Sequence, residues 1–275
     1  MKLLLPYNKK DYNYLKITYY VNTECNFRCS YCHRQSENYD TKFNQNQFDT
    51  IYSQLQEIKV PFDIELLGGE VTLIPNLSEL VNKLNKIAQN VSITSNGKLY
   101  KNLMDLNCEL LITLHTEYIT ESYLSNIKKL IEYRLSKGLN IDFTTVQTSQ
   151  NYEIVEKLKN FLKPYMNRGP EFDILYNEYE KIGTKFQDKT YHIFDTITKE
   201  SKITGIPVDR NFNGRLCFRN NIHIKGNNFY YVCDYSPIDS IDKLSLHTPK
   251  LHKCEYKKCK VCCDDKSILF SELQN

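Results

Sequence analysis

The residues best suited to chemistry in this sequence are three cysteines near its start, Cys25-x3-Cys29-x2-Cys32. Three thiolates on one short segment suit an iron–sulfur cluster, which usually takes four cysteines. The iron without a protein ligand then offers the open position that catalytic metal sites require. Structural zinc is the plainer alternative. It favours C-x2-C with a second pair further along, so the x3 gap argues against it, although His33 directly after Cys32 could complete a zinc site. A second group, Cys217, Cys233, Cys254, Cys259, Cys262 and Cys263, crowds the C-terminal part. Within it Cys259-x2-Cys262 is the most ligand-like pair, and a structural zinc ribbon is again the plain alternative.

Other segments are suggestive only in company. Gly68-Gly69-Glu70 alone would be a tight turn with a solvated carboxylate, and Ser95-Asn96-Gly97 a left-handed turn. His115 alone would be a histidine bonded to a backbone carbonyl. Cys108 heads an apolar stretch and reads as a small buried hydrophobe.

These residues need elements to hold them, and the apolar periodicity supplies the pattern. Strands are predicted at 15–21, 64–67, 91–94, 110–114, 141–146 and 172–176. Helical faces lie between them: Phe48, Ile51, Leu55 and Ile58; then Leu77 to Ala88 behind an Asn76 cap; then Leu99–Leu106. A longer helix from Leu124 to Leu135 closes at Gly138, and one from Ile154 to Leu162 is expected to end before Pro164. The polar stretch Asn44–Gln47 reads as a helix start. Six strands with five crossovers make an α/β chain, a partial (β/α)6 TIM-like barrel two units short of closure. Each cysteine, glycine or histidine motif of the N-terminal part falls at a strand's C-terminal end, where such folds keep their active sites. The pattern changes near residue 185, giving a barrel over 1–185 and a smaller region over 186–275. That region carries a β-hairpin, 221–225 and 229–233, about the turn Gly226-Asn227-Asn228.

Composition sets the remaining bounds. With 41% hydrophobic and 25% charged residues the chain is globular, and 36 Lys+Arg against 33 Asp+Glu is too mild a balance to argue for nucleic acid. No apolar run approaches the length of a membrane span or a signal-peptide core. Ten cysteines without an export signal point to a reducing, cytoplasmic setting in which thiols serve metals. The basic run around Lys250, His252, Lys253, Lys257, Lys258 and Lys260 fits a solvated face beside an anionic thiolate cluster better than an RNA site.

Taken together, Cys25-x3-Cys29-x-Tyr31-Cys32 with its aromatic residue, the Gly68-Gly69-Glu70 turn, Ser95-Asn96-Gly97 and the βα series around them resemble the radical S-adenosylmethionine (SAM) superfamily. The resemblance covers roughly residues 14–176 and implies a [4Fe–4S] cluster on Cys25, Cys29 and Cys32, with SAM chelating the open iron. It implies SAM contacts from Tyr31, Gly68, Gly69 and Glu70, from Ser95 and Asn96, from His115, and from Val146 against the adenine. Glycines let backbone approach a ligand, and a carboxylate accepts from an ammonium. The C-terminal cysteines resemble the auxiliary-cluster domains called SPASM and, in shortened form, Twitch. Six cysteines fit one auxiliary [4Fe–4S] cluster, on Cys217 and Cys233 with two of Cys254, Cys259 and Cys262.

The resemblance also implies the chemistry: reductive SAM cleavage to a 5′-deoxyadenosyl radical, and hydrogen abstraction from the substrate. An auxiliary cluster would then accept an electron, so that a small polar metabolite such as a sugar or cyclitol is oxidised, dehydrogenated or epimerised. A peptide-modifying maturase and a non-catalytic metal-binding module are the alternatives. The partners implied are the small molecule or a short peptide, and a flavodoxin- or ferredoxin-type electron donor, with oxygen sensitivity throughout. Tyr176, Tyr179, Tyr191 and His192 read as a packed domain interface, while Arg134, Arg210 and Arg215 are candidate clamps for a phosphate or carboxylate.

Overall fold

A computed structural model of the chain describes residues 14–30, 32, 42–147, 150–176, 193–195, 201–202, 215–219, 221–231, 237–246, 250–253 and 268–269. Six strands, β1 (Leu15–Tyr20), β2 (Phe62–Leu67), β3 (Asn90–Ser95), β4 (Glu109–Thr113), β5 (Asp142–Gln147) and β6 (Phe172–Tyr176), lie side by side in chain order. All are parallel. Parallel neighbours in chain order need a crossover at each step, and crossovers of the usual single hand put every connection on one face of the sheet, the arrangement of a TIM-like barrel. The connections are α1 (Gln45–Gln56), α2 (Leu77–Leu84), α3 (Glu121–Ser136) and α4 (Tyr152–Met166), with a short 3-10 turn, Tyr100–Leu103, between β3 and β4.

The sheet does not close. Beyond β6 it continues antiparallel through β7 (Ile193–Asp195) and β8 (Ser201–Lys202). Its other side gains β10 (Asn221–Lys225), which pairs parallel with β1, then β11 (Asn228–Tyr231) and β12 (Pro237–Ser240). Of the hairpin expected at 221–233, the described part, 221–231, is present; it turns at Gly226 with φ 60° and continues the barrel sheet beside β1. A separate three-stranded sheet sets β9 (Arg215–Arg219) between β13 (Lys250–Lys253) and β14 (Ile268–Leu269).

Strand alternation decides what the two faces carry. Leu15, Ile17 and Tyr19, with Phe62, Ile64 and Leu66, are buried in one core with Phe48, Ile51 and Leu55 of α1. The alternate residues, Thr18, Tyr20, Glu65 and Thr94 among them, are half-buried on the opposite face. A closed barrel fills that interior with branched apolar side chains; here it is a polar wall.

Local differences from the sequence reading have local causes. Asn44 caps α1 by accepting from Gln47 N at 3.1 Å, as read, and Thr120 caps α3 through Tyr123 N at 3.2 Å. Asn76 precedes α2 in a left-handed conformation (φ 56°) without a side-chain capping bond, its carbonyl alone accepting from Glu79 and Leu80. The segment 99–106 forms only the 3-10 turn, because the Leu103 and Leu106 carbonyls accept from the Arg134 guanidinium, each at 2.9 Å. Helix α4 runs through Pro164 to Met166. A proline one turn from a helix end removes a single backbone bond, and buried Leu162 and Tyr165 fasten that turn. Among the described residues no helix is long and apolar enough to cross a membrane.

Candidate active site

The loops that follow β1, β2, β3 and β4 converge, and hydrogen bonds fasten each to the next. The β1 loop carries Cys25, Cys29 and Cys32. Its main chain lies directly against Gly68 and Gly69: Gly69 N donates to Asn22 O at 3.0 Å, and Glu70 N to Glu24 O at 2.8 Å. A Cβ on Gly68 would lie 2.2 Å from Asn22 Oδ1, and one on Gly69 2.2 Å from Glu24 O. The two glycines are thus required by the cysteine loop itself, a closer reason than ligand approach. Gly97 has φ +67°, and a Cβ there would meet Ile127 at 2.8 Å.

Glu70 is buried, and its carboxylate turns inward. Oε1 accepts from Thr72 N, Thr72 Oγ1 and Ser95 Oγ at 2.9, 2.6 and 2.7 Å, while Oε2 accepts from Asn96 N at 2.8 Å. The Asn96 amide reaches on to Asn26 Oδ1 at 2.7 Å and lies 3.8 Å from Cys25 Sγ. The β4 loop clamps the same cysteine loop from the other side. Phe27 stacks on Tyr118 with ring centroids 3.9 Å apart, and Arg28 N donates to the Tyr118 hydroxyl at 2.6 Å. Glu117 accepts from Ser30 N at 3.0 and 3.1 Å and from its hydroxyl.

Cys25 and Cys32 are half-buried and Cys29 is buried; none of the three is in a disulfide. Burial raises the Cys25 thiol, and burial with the charges of Cys32 and Glu117 pushes Cys29 up to about 12. Such sulfurs keep their protons until a cation takes the place of those protons, which is what metal binding does. Among the described residues no three His, Cys, Asp or Glu side chains gather as they would around one metal ion. A multi-iron cluster binds its thiolates at separate iron atoms, so three thiols on one clamped loop fit it better than they fit a single ion.

His115 leads the β4 loop, edge-on to Phe27 at 5.8 Å, and burial pulls its imidazole down to about 4 against the opposing pull of Glu117. The unfolded chain, with an ordinary imidazole near 6.5, then binds more protons than the folded one between those values. The His115 contribution to stability is accordingly expected to shrink as pH falls from about 6.5 towards about 4. An NMR titration checks this: ring resonances that stay fixed from neutral pH down to about 5 agree with it, and a midpoint near 6.5 refutes it.

Val146 lies half-buried on β5, its carbonyl accepting from Asn151 Nδ2 at 2.9 Å. Tyr31, Cys233, Cys254, Cys259 and Cys262 lie outside the described residues, as do His33, Tyr179, Tyr191, His192 and Arg210. Cys217 is on β9, in register with His252 of β13. Arg134 is no anion clamp: it is fully buried and bonded to carbonyls. Sequence reasoning missed Asn22, Asn26, Thr72, Glu117 and Tyr118. The last two stand immediately past His115 on a strand-end loop already singled out, which was the available signal.

Comparison with known proteins agrees with this geometry. Residues 19–162 match the Radical SAM superfamily. A probable GTP 3′,8-cyclase of Sulfolobus acidocaldarius is 36% identical over 91 residues, 32% of this chain and 28% of that protein. One from Methanothermobacter marburgensis is 28% identical over 134 residues, 44% of each chain. The chain therefore spans less than half the length of these relatives. Among solved structures, anSMEcpe with bound AdoMet is similar with a TM-score of 0.56 at 16% identity, over 86% of this chain and 80% of that one. Streptococcus suis SuiB bound to precursor peptide SuiA gives 0.50 at 20%, over 65% and 44%. At these identities the likeness is one of fold.

Proposed function

Because the chain belongs to the radical SAM superfamily and is an enzyme, we propose that it holds a [4Fe–4S] cluster on Cys25, Cys29 and Cys32, binds SAM beside it, and removes a hydrogen from a polar substrate. The observation that carries this reading is the cysteine loop clamped between the β2, β3 and β4 loops. When bound, cluster and SAM supply a 5′-deoxyadenosyl radical, which takes the substrate hydrogen.

The protein's own part is placement. Gly68 and Gly69 hold the cysteine loop, and with Tyr31, Ser95, Asn96, His115 and Val146 they are the residues we assign to SAM. The half-buried polar face offers the substrate hydroxyls and a carboxylate: Glu65 accepts from Thr18 at 3.3 Å and from Thr94 at 2.8 Å. On β10, His223 lies 3.4 Å from the Tyr20 hydroxyl. Such a wall suits a sugar, a cyclitol or another many-hydroxyl metabolite, oxidised, dehydrogenated or epimerised in place.

We assign residues 186–275 to a Twitch-like region holding one auxiliary [4Fe–4S] cluster on Cys217 and Cys233 with two of Cys254, Cys259 and Cys262. The placing of Cys217 on β9, paired with His252 of β13, supports a role for that strand pair in the region. That cluster would take the electron left on the substrate, and a flavodoxin- or ferredoxin-type protein of the cytoplasm would feed the first. A short peptide is the second substrate reading, favoured by the peptides bound to SuiB and to anSMEcpe.

Iron and sulfide content after anaerobic reconstitution, with 5′-deoxyadenosine assayed on the same sample, tests the proposal. About eight irons per chain, two four-iron clusters, with deoxyadenosine is the expected result. Zinc in place of iron, with no deoxyadenosine, sinks it.

A further inference from the structure

We infer that Glu70 is a positioning residue, which aligns the cysteine loop through Asn96 and does not itself bind the SAM ammonium. The inference rests on the SAM-cleaving reading and deepens it. The residue is 1% exposed, and its carboxylate already receives four donors. A carboxylate offers about four lone-pair sites, so Oε1 with three donors is saturated, and Oε2 already holds a backbone amide on a residue that is almost wholly buried. Its main chain is equally engaged: Glu70 N donates to Glu24 O at 2.8 Å, and Glu70 O accepts from Asn22 Nδ2 at 3.0 Å.

One residue therefore bonds to the loops after β1 and β3 while capping its own turn, Val71–Leu73. The bond to Asn96 N sets where that residue stands, and the Asn96 side chain touches both Asn26 and the sulfur of Cys25. Loss of the Glu70 carboxylate strands four donors, two of them backbone amides, and lets the Ser95–Asn96 corner drift from the cysteine loop. Hydrogen bonds to a charged group are the strong ones, so this corner is held by its best fastening.

Glu70→Ala and Glu70→Gln, compared with the unsubstituted protein, test the inference by two readouts that need no substrate. The first is amide hydrogen exchange in the cluster-free protein; the second is the EPR spectrum of the reduced cluster before SAM is added. Positioning predicts exchange at 70–73 and 95–98 faster by roughly tenfold or more in the alanine variant, with α4 unchanged. It also predicts a shifted or broadened SAM-free spectrum. Glutamine keeps the volume and can keep the Oε1 bonds, so it is expected to fall between, and it serves alone if the alanine variant does not fold. Unchanged exchange in both loops overturns the inference, as does a SAM-free spectrum identical to that of the unsubstituted protein with only SAM binding weakened. If the unsubstituted protein forms no iron–sulfur cluster, the functional reading fails instead, and the exchange comparison alone decides the role of Glu70.

Discussion

Replacing Cys29 with alanine is expected to end 5′-deoxyadenosine formation, with the iron of the first cluster lost as well. Cys29 is the most buried of the three thiols, 5% exposed, and stands mid-loop between Cys25 and Cys32. The β4 loop grips the chain on both sides of it, at Arg28 and at Ser30. Cys108 cannot stand in for it: it precedes β4, at the opposite end of the parallel strands from the cysteine loop, where its carbonyl accepts from Arg134. Cys108→Ala serves as the control, with iron content and deoxyadenosine unchanged. Cys233→Ala separates the two proposed clusters: SAM cleavage should persist while product formation fails. Equal loss of cleavage in Cys29→Ala and Cys233→Ala would count against separate roles.

The largest loss of stability is expected from Arg134. Its guanidinium is fully buried with no carboxylate partner among the described residues, and all five of its N–H groups are used. Nε and Nη2 bond Asn140 O at 3.1 and 2.7 Å, Nη1 bonds Leu103 O and Leu106 O, and Nη2 also bonds Cys108 O at 2.7 Å. The side chain thus gathers the β3–β4 connection and the end of α3 around one hub. Arg134→Met nearly conserves the volume yet takes the donor from the buried Leu103 carbonyl, leaves Leu106 O with only its bond from Cys108 N, and releases the part-buried carbonyls of Cys108 and Asn140. At about 1–3 kcal/mol for a buried acceptor left without a donor, and less for the three that keep another donor or border solvent, a loss of about 2–4 kcal/mol is expected. That is a large share of the roughly 5–15 kcal/mol that stabilises a typical domain. Arg134→Lys brings at most three donors on one nitrogen and is expected to recover only part. Urea unfolding measures both, and a loss under about 1 kcal/mol for the methionine variant would refute the hub.

The parallel strands were legible because strand and helix periods alternate plainly from Leu15 to Tyr176, and the strand-end rule then put Cys25, Gly68, Ser95 and His115 in one place. What could not be read lies in pairings between distant residues. Glu70 was legible as a motif but not in its direction, because its partners Thr72, Ser95 and Asn96 are ordinary loop residues until the fold assembles them. Arg134 has a similar history: a lone arginine on a helix face looks like a clamp until burial is known. The union of β10 with β1 left no trace in local periodicity, since a parallel partner strand can come from anywhere in the chain.

That union bears on the order in which the molecule matures. Ile17 pairs with Ile222, so the strand leading into the cysteine loop has its second neighbour only after most of the chain has been made. Until then β1 presents one bare edge, the kind of edge that invites foreign pairing. Contacts so distant in sequence form slowly, and N-terminal parts emerge from the ribosome first. The strand that leads into the cysteine loop consequently gains its second neighbour late, when β10 pairs beside it.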